Sequence, residues 1–170
     1  SPAETTPLEY IKTNILGTYN LVHTARTWEC LEKFVFISTD KAISANSFMG
    51  ATKRIGEIMV KNQGKGFVAV RFGNVMGSRG SLFPIWQRQM DSGEPLTITD
   101  EKMERYLMTI PEAVELVIEA SQIGTGGEII VLDMGERVNI LSLANEILKK
   151  SGSTVGTKTI GIRPGETLKE

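Results

Sequence analysis

The chain has 170 residues, enough for one core or for a core plus a small lobe. Its hydrophobic content of 41% is ordinary for a globular protein, and a formal net charge of −1 gives no reason to expect nucleic acid or an anionic membrane surface as a partner. The lone Cys30 excludes a disulfide framework, and no apolar run approaches the length of a membrane span, so a cytoplasmic segment without membrane contact is expected.

In chain order, residues 1–7 read as a loop entered from something earlier. Thr6 can cap a helix with Pro7 at its first position. Ile11, Ile15, Tyr19 and Val22 recur at helical spacing, which predicts a helix to about Thr27. Trp28 reads as packing and Cys30 as a buried thiol. The apolar run to Ile37 predicts a strand from Lys33, followed by a polar loop through Ser47. A helix from Phe48 to about Asn62, with Ile55, Met59 and Val60 on its apolar side, ends at Gly64 and Gly66. A strand over 67–72 leads into a Gly-rich loop at 73–80, with Asn74 and Val75 closing that strand. A helix over 82–90, with Trp86 as packing, and a small strand over 96–99 come next.

The alternation continues with an extended run over 106–110 and a helix with Pro111 in its first turn, ending before Gly124. A strand over 128–132, a helix over 140–150 and a last strand over 158–162 complete the pattern. Alternating strands and helices predict an α/β fold with a parallel or mixed sheet covered by helices. No strand–G-x-G-x-x-G–helix unit occurs, because the glycines of 73–80 have the wrong spacing and lie between the wrong elements. The chain is therefore expected to be the later part of a Rossmann-type doubly wound sheet plus a small C-terminal substrate-binding lobe. The expected division is 1–80 for the later half of the cofactor domain and 81–170 mainly for the lobe, with some elements returning to the main sheet.

Ser38-Thr39-Asp40-Lys41 follows a strand, and Lys53 lies one turn into the next helix. In an open α/β sheet the carboxyl ends of the strands are where ligands bind. An acid and a base on one loop suit paired proton transfers when burial pulls their pKa values toward neutrality, whereas on spacing alone they equally suit a surface salt pair. Lone His23 builds no metal site, no Cys/His/carboxylate cluster occurs, and no metal is expected.

Five segments in order then carry a resemblance: Ser38 to Ala42, Met49-Gly50-Ala51-Thr52-Lys53-Arg54, Val70-Arg71-Phe72-Gly73-Asn74-Val75, Gly77-Ser78-Arg79-Gly80-Ser81, and Gly161-Ile162-Arg163-Pro164-Gly165-Glu166. Together they resemble the UDP-N-acetylglucosamine 4,6-dehydratases of bacterial capsule, O-antigen and flagellar-glycan synthesis, which are extended short-chain dehydrogenase/reductases. The resemblance runs from Pro7 to Glu170 and implies the C-terminal portion of a catalytic domain.

It implies oxidation at the sugar C4 by bound NAD or NADP, loss of water across C5 and C6, and return of the hydride to C6. Lys41 would be the C5 base, Asp40 the acid at the C6 oxygen, and Thr39 a contact of the C4 hydroxyl. Lys53 would hold the nicotinamide ribose. Met49 stands where the wider family places a catalytic Tyr, and a thioether exchanges no proton. Asn14, Ser38, Arg71, Phe72 and Gly73 would adjoin the cofactor. Lys41, Asn74, Val75, Ser81, Thr97, Arg105, Arg163 and Glu166 would adjoin the UDP-sugar, with Arg79 a further phosphate candidate.

The parent protein is expected to be a homo-oligomer anchored to the inner membrane through upstream spans, and the isolated chain is expected to be inactive. A nucleotide-sugar 4-epimerase and a non-catalytic nucleotide-sugar-binding or assembly module are the alternatives.

Overall fold

The runs Phe34–Ile37 and Phe67–Arg71 are rich in β-branched and aromatic residues, which favour strands, and the second is buried along most of its length. In the computed structural model, which describes residues 2–78 and 80–169, they form parallel strands β1 (Phe34–Ile37) and β2 (Phe67–Arg71), with Phe34 opposite Phe67 and Ile37 opposite Val70. A later strand, β6 (Ile129–Val131), joins the other edge of β2 in parallel, Ala69 opposite Ile129. Parallel neighbours need crossover connections, and helices supply them.

The helical region before β1 begins earlier than the sequence suggests. Pro2–Thr5 form a helical turn, α1, in place of the expected loop, and Glu4 accepts a bond from the Phe48 N–H at 2.8 Å. A polar partner far along the chain, invisible to local pattern, accounts for that difference. α2 (Pro7–Tyr10) then passes through a π-helical stretch, Ile11–Gly17, into α3 (Thr18–Ala25). Pro7 occupies the first turn as expected, while Thr6 makes no side-chain capping bond.

α4 (Phe48–Lys61) follows β1, capped by Ser47, whose hydroxyl accepts from the Gly50 N–H at 3.1 Å. Val22, Ala25 and Val60 from α3 and α4 pack with Phe36, Phe67 and Ala69. Val70, Leu132 and Ala120 form a second cluster, joined by Val35, Leu116 and Val117. Alternate residues of β1 thus face α3–α4 on one side and α6 (Ile110–Ile123) on the other, which is a doubly wound arrangement. Residues 2–72 with Val114–Asp133 make up this first compact unit.

Gly73–Ala113 with residues 134–169 form a second compact unit. Its strands are β3 (Asn74–Val75), β4 (Leu96–Ile98), β5 (Glu104–Met108), β7 (Arg137–Asn139) and β8 (Thr157–Thr159). β5 pairs with β3 in parallel and with β7 in antiparallel fashion, and β4 pairs with β8 in parallel. Asn74 and Val75 do not close β2, as their position suggested. They form their own strand opposite Leu107 and Met108. β7 was not expected, since Arg137-Val138-Asn139 is too short and polar to stand out. α5 (Leu82–Asp91) and α7 (Ile140–Ser151) close around Trp86, Leu96, Ile98, Met103, Ile140 and Ala144.

Of the two tryptophans, Trp86 is 1% exposed and donates to the Thr97 carbonyl at 2.9 Å, whereas Trp28 is 59% exposed and is not the packing residue expected. Cys30 is exposed rather than buried, and Ile55 lies on the outer side of α4. All three follow from one geometry: α4 buries the face carrying Gly50, Thr52, Gly56, Glu57 and Val60 and leaves Ile55 outside it, and the turn after α3 runs along the surface.

Candidate active site

The first unit gathers Asn14, Ser38, Thr39, Asp40, Lys41, Lys53, Arg71 and Phe72. Past Ile37 the chain stays beside β2: the Ser38 N–H donates to the Val70 carbonyl at 2.7 Å and the Asp40 N–H to the Phe72 carbonyl at 3.2 Å. Thr39 is extended, and its hydroxyl oxygen accepts from the Lys41 N–H at 3.4 Å, starting the single 3-10 turn Asp40–Ala42. This turn is the part of the predicted polar loop that is regular.

The turn places charge against charge. Thr39 Oγ1 donates to Asp40 Oδ1 at 2.9 Å, and Lys41 Nζ donates to the same oxygen at 3.1 Å. The Asp40 side chain is 3% exposed and that of Lys41 28%. Asp40 Oδ2 is buried with no hydrogen-bond partner. A buried carboxylate oxygen without a partner is costly, and such an atom calls for an explanation.

α4 fits tightly against this turn. A Cβ on Gly50 would collide with the Lys41 carbonyl oxygen, and one on Gly56 with the Phe36 ring, so glycine is what lets the helix approach. Lys53 Nζ donates to the Ile37 carbonyl at 2.9 Å and lies 4.9 Å from the centroid of the Phe36 ring. Burial lowers the Lys53 pKa from its ordinary value, because a charged ammonium is disfavoured away from water. Met49, half-buried in the first turn of α4, accepts through its carbonyl from Thr52 Oγ1 at 2.8 Å. Asn14 donates to Thr52 Oγ1 at 3.0 Å and so ties the π-helical stretch to α4.

Ser38 and Arg71 direct their side chains elsewhere. Both donate to Glu57, which sequence reasoning passed over: Ser38 Oγ at 2.6 Å, and Arg71 through two nitrogens at 2.6 Å each. Arg54 adds a bond at 2.9 Å. Burial alone would raise the Glu57 pKa, but the bonds from Arg71, Ser38 and Arg54 outweigh it and hold the carboxyl below its ordinary value. The same pairing raises the Arg71 pKa. The available signal was weak, since Arg54 and Glu57 at i, i+3 look like an exposed helical pair.

In the second unit, Asn74 Nδ2 donates to the Tyr106 carbonyl at 3.4 Å, with Gly73 before it and Val75 on β3. Gly77 and Gly80 have φ of 77° and 76°, the left-handed region that favours glycine. Ser81 Oγ is buried with no partner. Thr97 is held by Gln89, which donates to its hydroxyl at 3.0 Å and accepts from its N–H at 3.1 Å. Arg105 donates to the carbonyls of Glu104, Thr167 and Leu168 at 2.8, 2.7 and 3.2 Å, clamping the C-terminal segment. Arg163 and Glu166 close one turn: the Arg163 N–H donates to the Glu166 carboxylate at 3.1 Å and the Glu166 N–H to the Arg163 carbonyl at 3.0 Å. Arg79 lies outside the described residues.

A family profile described as "Polysaccharide biosynthesis protein" matches residues 2–170. The chain belongs to that family. It is 49% identical over 175 residues to the capsular polysaccharide biosynthesis protein CapD of Staphylococcus aureus, a match covering 98% of this chain and 29% of CapD. Among solved structures, Pen from Bacillus thuringiensis is 37% identical with a TM-score of 0.89, covering 99% of this chain and 55% of Pen. A Bacillus cereus UDP-glucuronic acid 4-epimerase, solved with UDP-glucuronic acid and NAD, is 26% identical with a TM-score of 0.83 over 94% of this chain and 58% of that one. The chain thus spans less than a third of CapD and just over half of Pen. Its fold is the later part of a Rossmann-type short-chain dehydrogenase/reductase domain, and its relatives include nucleotide-sugar 4-epimerases. Among the described residues, no helix is long and apolar enough to cross a membrane.

Proposed function

We propose that this chain is the acid/base and substrate-holding portion of a nucleotide-sugar 4,6-dehydratase acting on UDP-N-acetylglucosamine, with or without C5 epimerisation. The observation that carries the reading is Asp40, whose Oδ1 takes both Thr39 and Lys41 while its buried Oδ2 has no partner. A 4-epimerase has no use for a buried acid beside a base, whereas elimination of water needs both.

The 3.1 Å bond from Lys41 to Asp40 suggests how both roles are met at once. Moving one proton along it turns the ion pair into a neutral carboxylic acid and a neutral amine. Lys41 then takes the C5 proton, and Asp40 gives its proton to the C6 hydroxyl, which leaves as water. The C5–C6 double bond forms, and the original ion pair returns. Thr39 Oγ1, already donating to Asp40, keeps a lone pair to accept a hydrogen bond from the C4 hydroxyl, whose proton is released to water on oxidation, and Lys41 then returns a proton to C5 and regains one from water.

NAD or NADP, when bound, supplies the hydride acceptor at C4 and the donor to C6. The residues present fit its nicotinamide end. Lys53, with burial lowering its pKa, and Asn14 would hold that end, while Phe72 and Gly73 follow β2. Asn74, Val75, Ser81, Thr97, Arg105, Arg163 and Glu166 would hold the UDP-sugar. The unpartnered Ser81 hydroxyl supports this for Ser81, and the carbonyl bonds of Arg105 support an indirect part through the 163–168 turn. The UDP-sugar and NAD in the 4-epimerase neighbour support the ligand classes.

The test uses the complete protein that carries this chain. Incubated with UDP-N-acetylglucosamine, it yields a 4-keto-6-deoxy sugar by NMR, and Asp40→Asn or Lys41→Ala lowers kcat by about 10²–10⁴-fold. A C4 epimer as sole product would establish the second reading, a 4-epimerase, which the B. cereus neighbour favours. Glycan synthesis unchanged by both substitutions would instead establish a binding or assembly module.

A further inference from the structure

Glu57 and Asp40 are the buried carboxylates among the described residues, and only Asp40 has a place in the chemistry proposed above. Glu57 is 0% exposed and accepts four bonds from three side chains on three parts of the first unit. Ser38 follows β1, Arg71 ends β2, and Arg54 lies on α4 itself.

Each donor stands one peptide bond from a candidate site residue. Ser38 precedes Thr39, Arg54 follows Lys53, and Arg71 precedes Phe72, whose carbonyl accepts the Asp40 N–H at 3.2 Å. A carboxylate reached by a two-nitrogen guanidinium contact is held in orientation as well as in place. As a source of stability alone this arrangement is poor, because desolvating a buried ion pair roughly cancels its attraction and apolar packing does as well. What it delivers is relative position.

We propose that Glu57 is a positioning residue, resting on the reading above, that locks the Thr39–Asp40–Lys41 turn, the end of β2 and the Lys53 segment of α4 into one fixed arrangement. It touches neither the sugar nor the cofactor. It acts through Ser38, Arg71 and Arg54, so that the Lys41–Asp40 bond and the open Oδ2 hold one orientation through turnover.

The experiment compares the complete protein with its Glu57→Gln and Ser38→Ala variants. Ser38→Ala removes one donor and leaves the Glu57–Arg71 pair, so it keeps the fold if Glu57→Gln does not. Amide hydrogen exchange by mass spectrometry is followed in a peptide spanning residues 38–43 and referred to α7 of the second unit. Steady-state kinetics with UDP-N-acetylglucosamine run in parallel. Referred exchange of the 38–43 peptide is expected to rise about tenfold in Glu57→Gln and less in Ser38→Ala, as a local opening rather than a global one. kcat is expected to fall about 10–100-fold with KM within about threefold, because misplacement of catalytic groups by about 1 Å is enough for that loss. Unchanged referred exchange in both variants overturns the proposal, as does faster exchange with wild-type kcat. Absence of dehydratase turnover in the wild-type protein would instead sink the proposed reaction, and exchange alone would then decide whether Glu57 positions the turn.

Discussion

The two compact units hold their candidate residues by opposite means. In the first, Asp40, Ser38 and Glu57 are buried, and side chains bond to side chains across β1, β2 and α4. In the second, Arg163 is exposed, and Arg105 and Glu166 are satisfied by backbone groups of their own turn or of the C-terminal segment. A buried side-chain network tolerates little displacement, because its polar atoms have no water to turn to. A turn clamped at its backbone keeps its shape, here through the side-chain ends of Arg105 and Glu166. In the proposed reaction, proton transfer would draw on the first kind of precision and the holding of a nucleotide sugar on the second.

The two units differ most at their centres, Glu57 and Trp86. Glu57→Ala leaves Arg71 half of a buried pair and is expected to cost about 3–5 kcal/mol, as broken buried ion pairs do. Trp86→Ala should cost a similar amount, about 3–5 kcal/mol, through the cavity left in the second unit. Denaturant unfolding measures both, and a Glu57→Ala cost near zero would show that the first unit does not depend on its polar network.

Acid adds a second handle on the same residue. The Glu57 carboxyl titrates below its ordinary value of 4.5, so its contribution is complete above that pH and is lost as pH falls through the folded-state value. Thermal melts between pH 7 and pH 3 should therefore fall less steeply in Glu57→Gln than in the wild type. An identical acid slope would mean that other carboxylates carry it.

Gly50→Ala is expected to cost about 1–3 kcal/mol, since the new methyl must push the Lys41 carbonyl or α4 aside. Activity of the complete protein should fall with it, because the displaced atom belongs to the Asp40–Ala42 turn. Arg105→Ala removes three carbonyl bonds and should cost about 1–2 kcal/mol. Its sharper signature is faster proteolysis near 163–169, and unchanged cleavage there would remove Arg105 as the clamp of that turn. Smallest is Trp28→Ser, expected within about 0.5 kcal/mol because the indole is already in solvent. A larger loss would show that the exposed Trp28 is covered in solution.

Much of the secondary structure was legible because strands and helices here carry strong periodic signals. The run Phe34–Ile37 and the helices Phe48–Lys61 and Ile140–Ser151 stand where the periodic pattern places them, whereas their caps at Ser47 and Asn139 emerge only in the structure. The acid/base cluster was legible as a set of residue types at a strand end. α1, β3 and β7 were not, since each is two to four residues long and exists through partners distant in the chain. Glu57 was missed for the same reason. Its ligands lie 19, 3 and 14 positions away, and nothing local separates it from a solvated helical Glu.

By itself, then, the sequence determined the α/β alternation, the family and the residue types at the ends of β1 and β2, because these depend on local periodicity and on short motifs in register. The tertiary structure decided which charges are buried. That Asp40 keeps one oxygen unpartnered, that Glu57 gathers Ser38, Arg54 and Arg71, and that Arg105 clamps a turn all follow from how far each side chain is removed from water and from which distant partners reach it.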